Sequence, residues 1–136
     1  MTKKSLFAGL LLIISQLFAP AVLAADETTP KMGYFTLAPD LTTNFVTTGK
    51  KLGYIQVRID IMVADNREVP LLEHHNPQIR NVLVEVFGQQ PENRIKSLAG
   101  REEIRKECLT AINELLLAET GKTLAVDLLF TKYIYQ

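Results

Sequence analysis

Residues 52–65, LGYIQVRIDIMVAD, constrain the fold more than any other stretch of this chain. Ile55, Val57, Ile59, Ile61 and Val63 alternate with Gln56, Arg58, Asp60 and Met62. Successive side chains of a strand point to opposite faces, so this strand has one apolar face and one mostly wet face. It therefore fits an antiparallel sheet with helices on one side. Two shorter strands are predicted before it, YFTLAP (34–39) and LTTNFVT (41–47), separated by Pro39 and Asp40. The joint at residues 49–51 turns the second of these into the long one. The last stretch, LAVDLLFTKYIYQ, alternates Leu124, Val126, Leu128 and Phe130 among β-branched and aromatic residues. It reads as a further strand inserted into the same sheet.

Between these strands the period changes. Ile79, Val82, Leu83, Val86 and Phe87 fall on one helical face, with Asn76 placed to cap that helix and Pro77 at its first position. Gly88 and Pro91 interrupt the pattern before a short amphipathic piece. A long helix then runs from Arg101 to about Glu119 and is closed by Gly121. Ile104, Cys108, Ala111, Ile112 and Leu115 share one of its faces. Leu109 and Leu116 lie about 120° to 140° from Ile104 and widen the stripe, either against the neighbouring helix or as a subunit interface. On the partner side of such an interface, Arg58 on the wet face of the long strand and Arg80 near the helix entrance offer polar contacts. The expected fold is α+β: a small antiparallel sheet of three to four strands with two main helices packed on one face.

The first residues carry a different signal. MTKKSLFAGLLLIISQLFAPAVLAAD has two lysines, an apolar run, a break at Pro20 and small residues at the end, the plan of a secretory signal peptide. Cleavage is expected between Ala24 and Ala25, giving a leader over 1–24 and a polar tether over 25–33. The alternative is an uncleaved membrane anchor, since residues 6–25 carry no charge. Either way the rest is exported, which places it in the periplasm or in the inner membrane with its C-terminal domain in the periplasm. Beyond residue 25 there are 13 basic against 15 acidic residues, so no electrostatic case exists for nucleic acid or anionic lipid.

The chemistry-bearing residues are few. His74 and His75, the only histidines, are adjacent at a helix entrance, and no H-x-x-x-H or C-x-x-C adds further ligands, so no metal site is expected. Glycines are dispersed and form no phosphate loop, and Ser97 is the only serine past the leader, without a G-x-S-x-G elbow. Cys108 is the only cysteine, so no intrachain disulfide can form and a small core residue is expected there. No catalytic role is expected.

Five segments in order resemble the FliL family of flagellar basal body-associated proteins across residues 34–136. They are YFTLAPDLTTNF, YIQVRIDIMV, HNPQIRNVLVEVF, LAGREEIRKECLTAINELL and VDLLFTKYIYQ. They match, in turn, an aromatic-x-Leu-x-Pro segment, a long strand, a His-x-Pro-x-Ile-Arg-Asn helix entry, a Gly-Arg/Lys-x-x-(Leu/Ile)-Arg helix with a later Ile-Asn, and a Phe-Thr-x-x-x-x-Gln ending. The resemblance implies a stomatin-type (SPFH-like) periplasmic domain that forms rings and supports the stator or its torque, with no catalysis and no cofactor. Family members usually carry a cytoplasmic tail and a retained membrane helix, from which the leader-like start here departs. Two functions follow as expectations: an accessory protein assembling with stator or basal-body proteins, or, on the same α+β scaffold, a periplasmic small-molecule or peptide-binding module.

Overall fold

A computed structural model describes residues 29–49 and 51–136. The expected leader with its Ala24–Ala25 junction lies outside the described residues, as does the first part of the tether. Four antiparallel strands form one sheet: β1 (Gly33–Thr36), β2 (Leu41–Phe45), β3 (Gly53–Val63) and β4 (Ala125–Tyr135). The long alternating strand, β3, is the centre of the sheet. β1 pairs with its second half and β2 with its first half on one side, and β4 runs along its whole other side. Gly33, expected in the tether, opens β1 instead. A Cβ there would lie 2.7 Å from the Asn66 Cα, so this backbone approach admits only glycine without a shift.

Among the described residues a 3-10 turn (Asn66–Glu68) and four α-helices lie between β3 and β4: α1 (Val69–His74), α2 (Asn76–Gly88), α3 (Glu92–Lys96) and α4 (Leu98–Thr120). All five apolar side chains of β3 that alternate inward are buried. They meet Ile79, Leu83 and Phe87 of α2, Ile95 of α3, and Ile104, Cys108, Ile112 and Leu116 of α4. The α+β expectation of a small antiparallel sheet of three to four strands is met with four strands, and α1 and α3 are added to the two main helices. Gly121 ends α4 in the left-handed conformation at φ 76°, and its N–H reaches Leu117 O at 3.0 Å.

β4 departs from simple alternation. Its register against β3 shifts twice, leaving Val126 and Thr131 as extra residues. The first shift turns Val126 out of the core while Leu124, Ala125 and Leu128 stay in it. The second puts Tyr133, in place of Lys132, on the helix side after Phe130, where its O–H donates to Ile95 O at 2.9 Å.

Candidate assembly surfaces

The wet side of β3 is the open face of the sheet. Its parity puts Gln56, Arg58, Asp60 and Met62 there, with Ile134, Lys132, Leu129 and Asp127 of β4 beside them in register. The polar centre is Asp40, on the loop between β1 and β2. Arg58 Nε donates to Asp40 Oδ1 at 2.8 Å, Lys132 Nζ to Oδ2 at 3.0 Å and Gln56 Nε2 to Oδ2 at 3.4 Å. The hydrogen bonds from Arg58 and then Lys132 hold the Asp40 carboxyl below its ordinary range. This knot ties the loop to two strands. Arg58 is thus at the open face as predicted, and it is engaged within the chain rather than free. Asp60 stands next to it with one buried oxygen, Oδ1, that finds no partner among the described residues.

The helix entrance differs from the sequence reading. α1 ends at His74, and His75 alone connects it to α2. The first helical bond of α2 runs from Ile79 N–H to His75 O at 2.9 Å, which makes His75 the capping position and puts Asn76 inside the helix. Asn76 therefore cannot cap; its Oδ1 is buried without a partner among the described residues, as is Nδ1 of the buried His75. The His74 and His75 rings meet edge to face at 5.0 Å. Arg80 reaches back across the loop, its Nη1 donating to Pro39 O at 2.6 Å, so this guanidinium also fastens the β1–β2 connection.

The long helix is held at both ends. At its start Ser97 Oγ accepts from Gly100 N at 3.0 Å. Arg94 of α3 donates to Gln90 Oε1 at 2.6 Å, Glu107 Oε1 at 2.7 Å and Glu103 Oε2 at 3.1 Å. The buried Gln90 amide completes the clamp by donating to Val86 O at 2.8 Å and Glu107 Oε2 at 2.9 Å. Further along, Arg105 bonds Asp127 and Glu102. Asn113 and Ala125 exchange two hydrogen bonds, the side-chain amide taking the place of a neighbouring strand. Sequence reasoning missed this role of Asn113; a polar residue flanked by Ile112 and two residues before Leu115 was the available sign.

Leu116 is fully buried and belongs to the monomer core, contrary to the interface expectation. The buried line of α4 runs Gly100, Ile104, Cys108, Ile112, Leu116 in steps of four. Such a row is inclined to the helix axis, so the core-facing side rotates along the helix and reaches Leu116 at its far end. Leu109 is half-buried and packs against the same core. Burial pushes the Cys108 thiol up to about 12, consistent with a core residue and not a nucleophile.

Residues 34–136, the whole sheet and helix layer apart from the first residue of β1, match the family model described as flagellar basal body-associated protein FliL. A flagellar protein FliL from Aquifex aeolicus (strain VF5) is 28% identical over 83 residues, 61% of this chain and 49% of that one. The chain spans about half the length of this curated relative.

Proposed function

The chain belongs to the family of flagellar basal body-associated FliL proteins, and from that premise we propose that it is an accessory protein of the bacterial flagellar motor. In this reading it acts by protein–protein assembly beside the stator and supports motility. The family match over residues 34–136, nearly the whole described fold, carries the reading. The side-chain chemistry is compatible with assembly: charged groups such as Asp40 with Arg58 and Arg94 with Glu107 tie elements of the fold together, and Cys108 is sequestered. Self-association into a ring, a stomatin-type (SPFH-like) fold and a periplasmic position belong to the same proposal. The antiparallel sheet with helices on one face supports the fold reading.

Deleting the gene is expected to reduce swimming, most visibly at high load, and restoring it is expected to recover the loss. Unchanged motility from soft to viscous agar would overturn the motor reading. Mass spectrometry of the exported protein examines its placement: a mature N-terminus at Ala25 supports a periplasmic protein, and an intact Met1 in the membrane fraction supports an anchored one. The ligand-binding alternative requires a deep apolar cavity with convergent polar groups. The hollow on the open sheet face, lined by Leu37 and Pro39 as well as Thr36, Asp40, Arg58 and Asp60, is instead wide open and of mixed polarity and gives that alternative no support.

A further inference from the structure

The outer edge of β4 is closed along one half and open along the other. Gln136 and Tyr54 exchange both backbone bonds, at 2.9 and 3.3 Å. By the alternation of an antiparallel ladder, Lys132, Ile134 and Gln136 turn their backbone groups toward β3, and Tyr133 and Tyr135 turn theirs outward. Before the bulge at Thr131 the outward residues are Phe130, Leu128 and Ala125, and α4 covers them. Arg101 Nη2 donates to Phe130 O at 3.2 Å, Arg105 Nη1 to Leu128 O at 3.1 Å, and Asn113 Nδ2 to Ala125 O at 2.8 Å. The Ala125 and Leu128 N–H groups are satisfied by Asn113 Oδ1 and Asp127 Oδ1. Among the described residues no group covers the N–H and C=O of Tyr133 or Tyr135.

An open strand edge is a template for another strand. We propose that residues 132–136 of β4 pair antiparallel with the same residues of a second copy, about a two-fold axis at Ile134. That register sets Tyr133 opposite Tyr135 of the second copy, and the reverse, using all four open groups of each chain. Centring the axis on Tyr133 would run the pairing into the Thr131 bulge. Ile134, 49% exposed on the open face, meets its own counterpart. Leu98, 85% exposed and lining a hollow with Leu129 and Phe130 beside this edge, adds apolar surface. The caps from Arg101, Arg105 and Asn113 stop the pairing at Phe130, so the contact is short and weak. It is also isologous: each edge is consumed by the other and no fibre can grow. The inference stands on the strand geometry and goes beyond the motor reading, since a ring needs a different, head-to-tail contact.

Cysteine cross-linking in the full chain tests the register. Ile134 faces itself at a non-hydrogen-bonded position, where Cα atoms are about 4.5 Å apart, within disulfide reach. The two Lys132 Cα atoms would be on the order of 14 Å apart, four residues out of register. Cys108 is buried and stays out of the reaction. The Ile134→Cys protein is expected to form a disulfide dimer under mild oxidation, and Lys132→Cys is not. Adding Tyr135→Pro to Ile134→Cys removes an outward N–H without touching a β3 bond, and is expected to lower the dimer yield about tenfold. Equal cross-linking of the two cysteine proteins, or none in either, overturns the proposal. Amide exchange of the unmodified chain gives a readout that needs no substitution: slowing of the Tyr133 and Tyr135 amides with rising concentration supports the pairing, and constant rates overturn it. Normal motility of the deletion strain beside a confirmed dimer would remove the motor reading while leaving this contact intact.

Discussion

Replacing Gly100 with alanine separates two physical effects of opposite sign. Gly100 lies in the first turn of α4, and helix propensity alone favours alanine by up to about 1 kcal/mol. Packing opposes it. A Cβ on Gly100 would stand 2.2 Å from Arg94 O, 2.6 Å from Arg94 Cα and 2.7 Å from Arg94 C, all backbone atoms that no side-chain rotation can move. Relief requires α3 to lift from α4 by roughly 1 Å, against contacts that ordinarily begin near 3 Å. That motion would loosen Ile95, which is 1% exposed, and the Tyr133 O–H bond to Ile95 O, and would strain the fan from Arg94 to Gln90, Glu103 and Glu107. Overpacking of this kind costs about 1–3 kcal/mol, and partial exposure of Ile95 adds about 1 kcal/mol. Net of propensity, Gly100→Ala should lose about 2 kcal/mol, a fall in melting temperature of roughly 8 °C for a domain of this size. Urea unfolding followed by circular dichroism measures it, with an unchanged m-value showing that the unfolded reference is the same. A midpoint equal to or above that of the parent chain would refute the close α3–α4 approach.

The remaining predictions concern single side chains. Leu116→Glu should unfold the chain, because it puts an unpaired charge into a fully buried site at a cost above about 4 kcal/mol, whereas the half-buried Leu109→Glu should cost about 1–2 kcal/mol; thermal denaturation compares them. Asp40 has a lowered folded pKa, so its ties stabilise the fold above the unfolded carboxyl value of about 3.9 and are lost as pH falls below it; Asp40→Asn should flatten the acid side of a stability-versus-pH curve in that range. Cys108 should resist thiol reagents at pH 8 in the folded chain and react at the rate of global opening, which a labelling time course in increasing urea checks.

Periodicity made the sheet and the two main helices readable, because β3 and α2 each bury one face and nothing else competes for their side chains. It failed where tertiary contacts reassign a residue. Asn76 has the right chemistry for a cap, yet the single-residue link from α1 makes the His75 carbonyl the first acceptor, and a position set by the preceding helix is not visible in Asn-Pro itself. Val126 alternates correctly in the sequence but is an extra residue against β3, and bulges leave no mark in a hydrophobic pattern. Leu116 falls at the margin of a stripe centred on Ile104, whereas the buried row climbs around α4 in steps of four. The Asp40 knot joins residues 18 and 92 positions apart, and no local rule brings these together.

The same helix that misled the interface reading also decides where β4 stays open. Arg101, Arg105 and Asn113 are four and eight residues apart, about 6 and 12 Å along a helix axis. Their acceptors, Phe130, Leu128 and Ala125, are two and three residues apart, about 6.6 and 10 Å along a strand. The two spacings match closely enough for one helix to cap successive outward carbonyls of a strand running beside it. Continuing to Tyr133, about 10 Å further, would require a side chain six or seven residues before Arg101, at residue 94 or 95. By then α4 has ended at its Ser97 cap, Arg94 is committed to Gln90, Glu103 and Glu107, and Ile95 meets the Tyr133 ring side through its own carbonyl. The open groups of Tyr133 and Tyr135 therefore follow from where the helix stops. A helix extended by two turns at its start would close that edge, and the chain instead spends those residues on α3 and the clamp that fixes it.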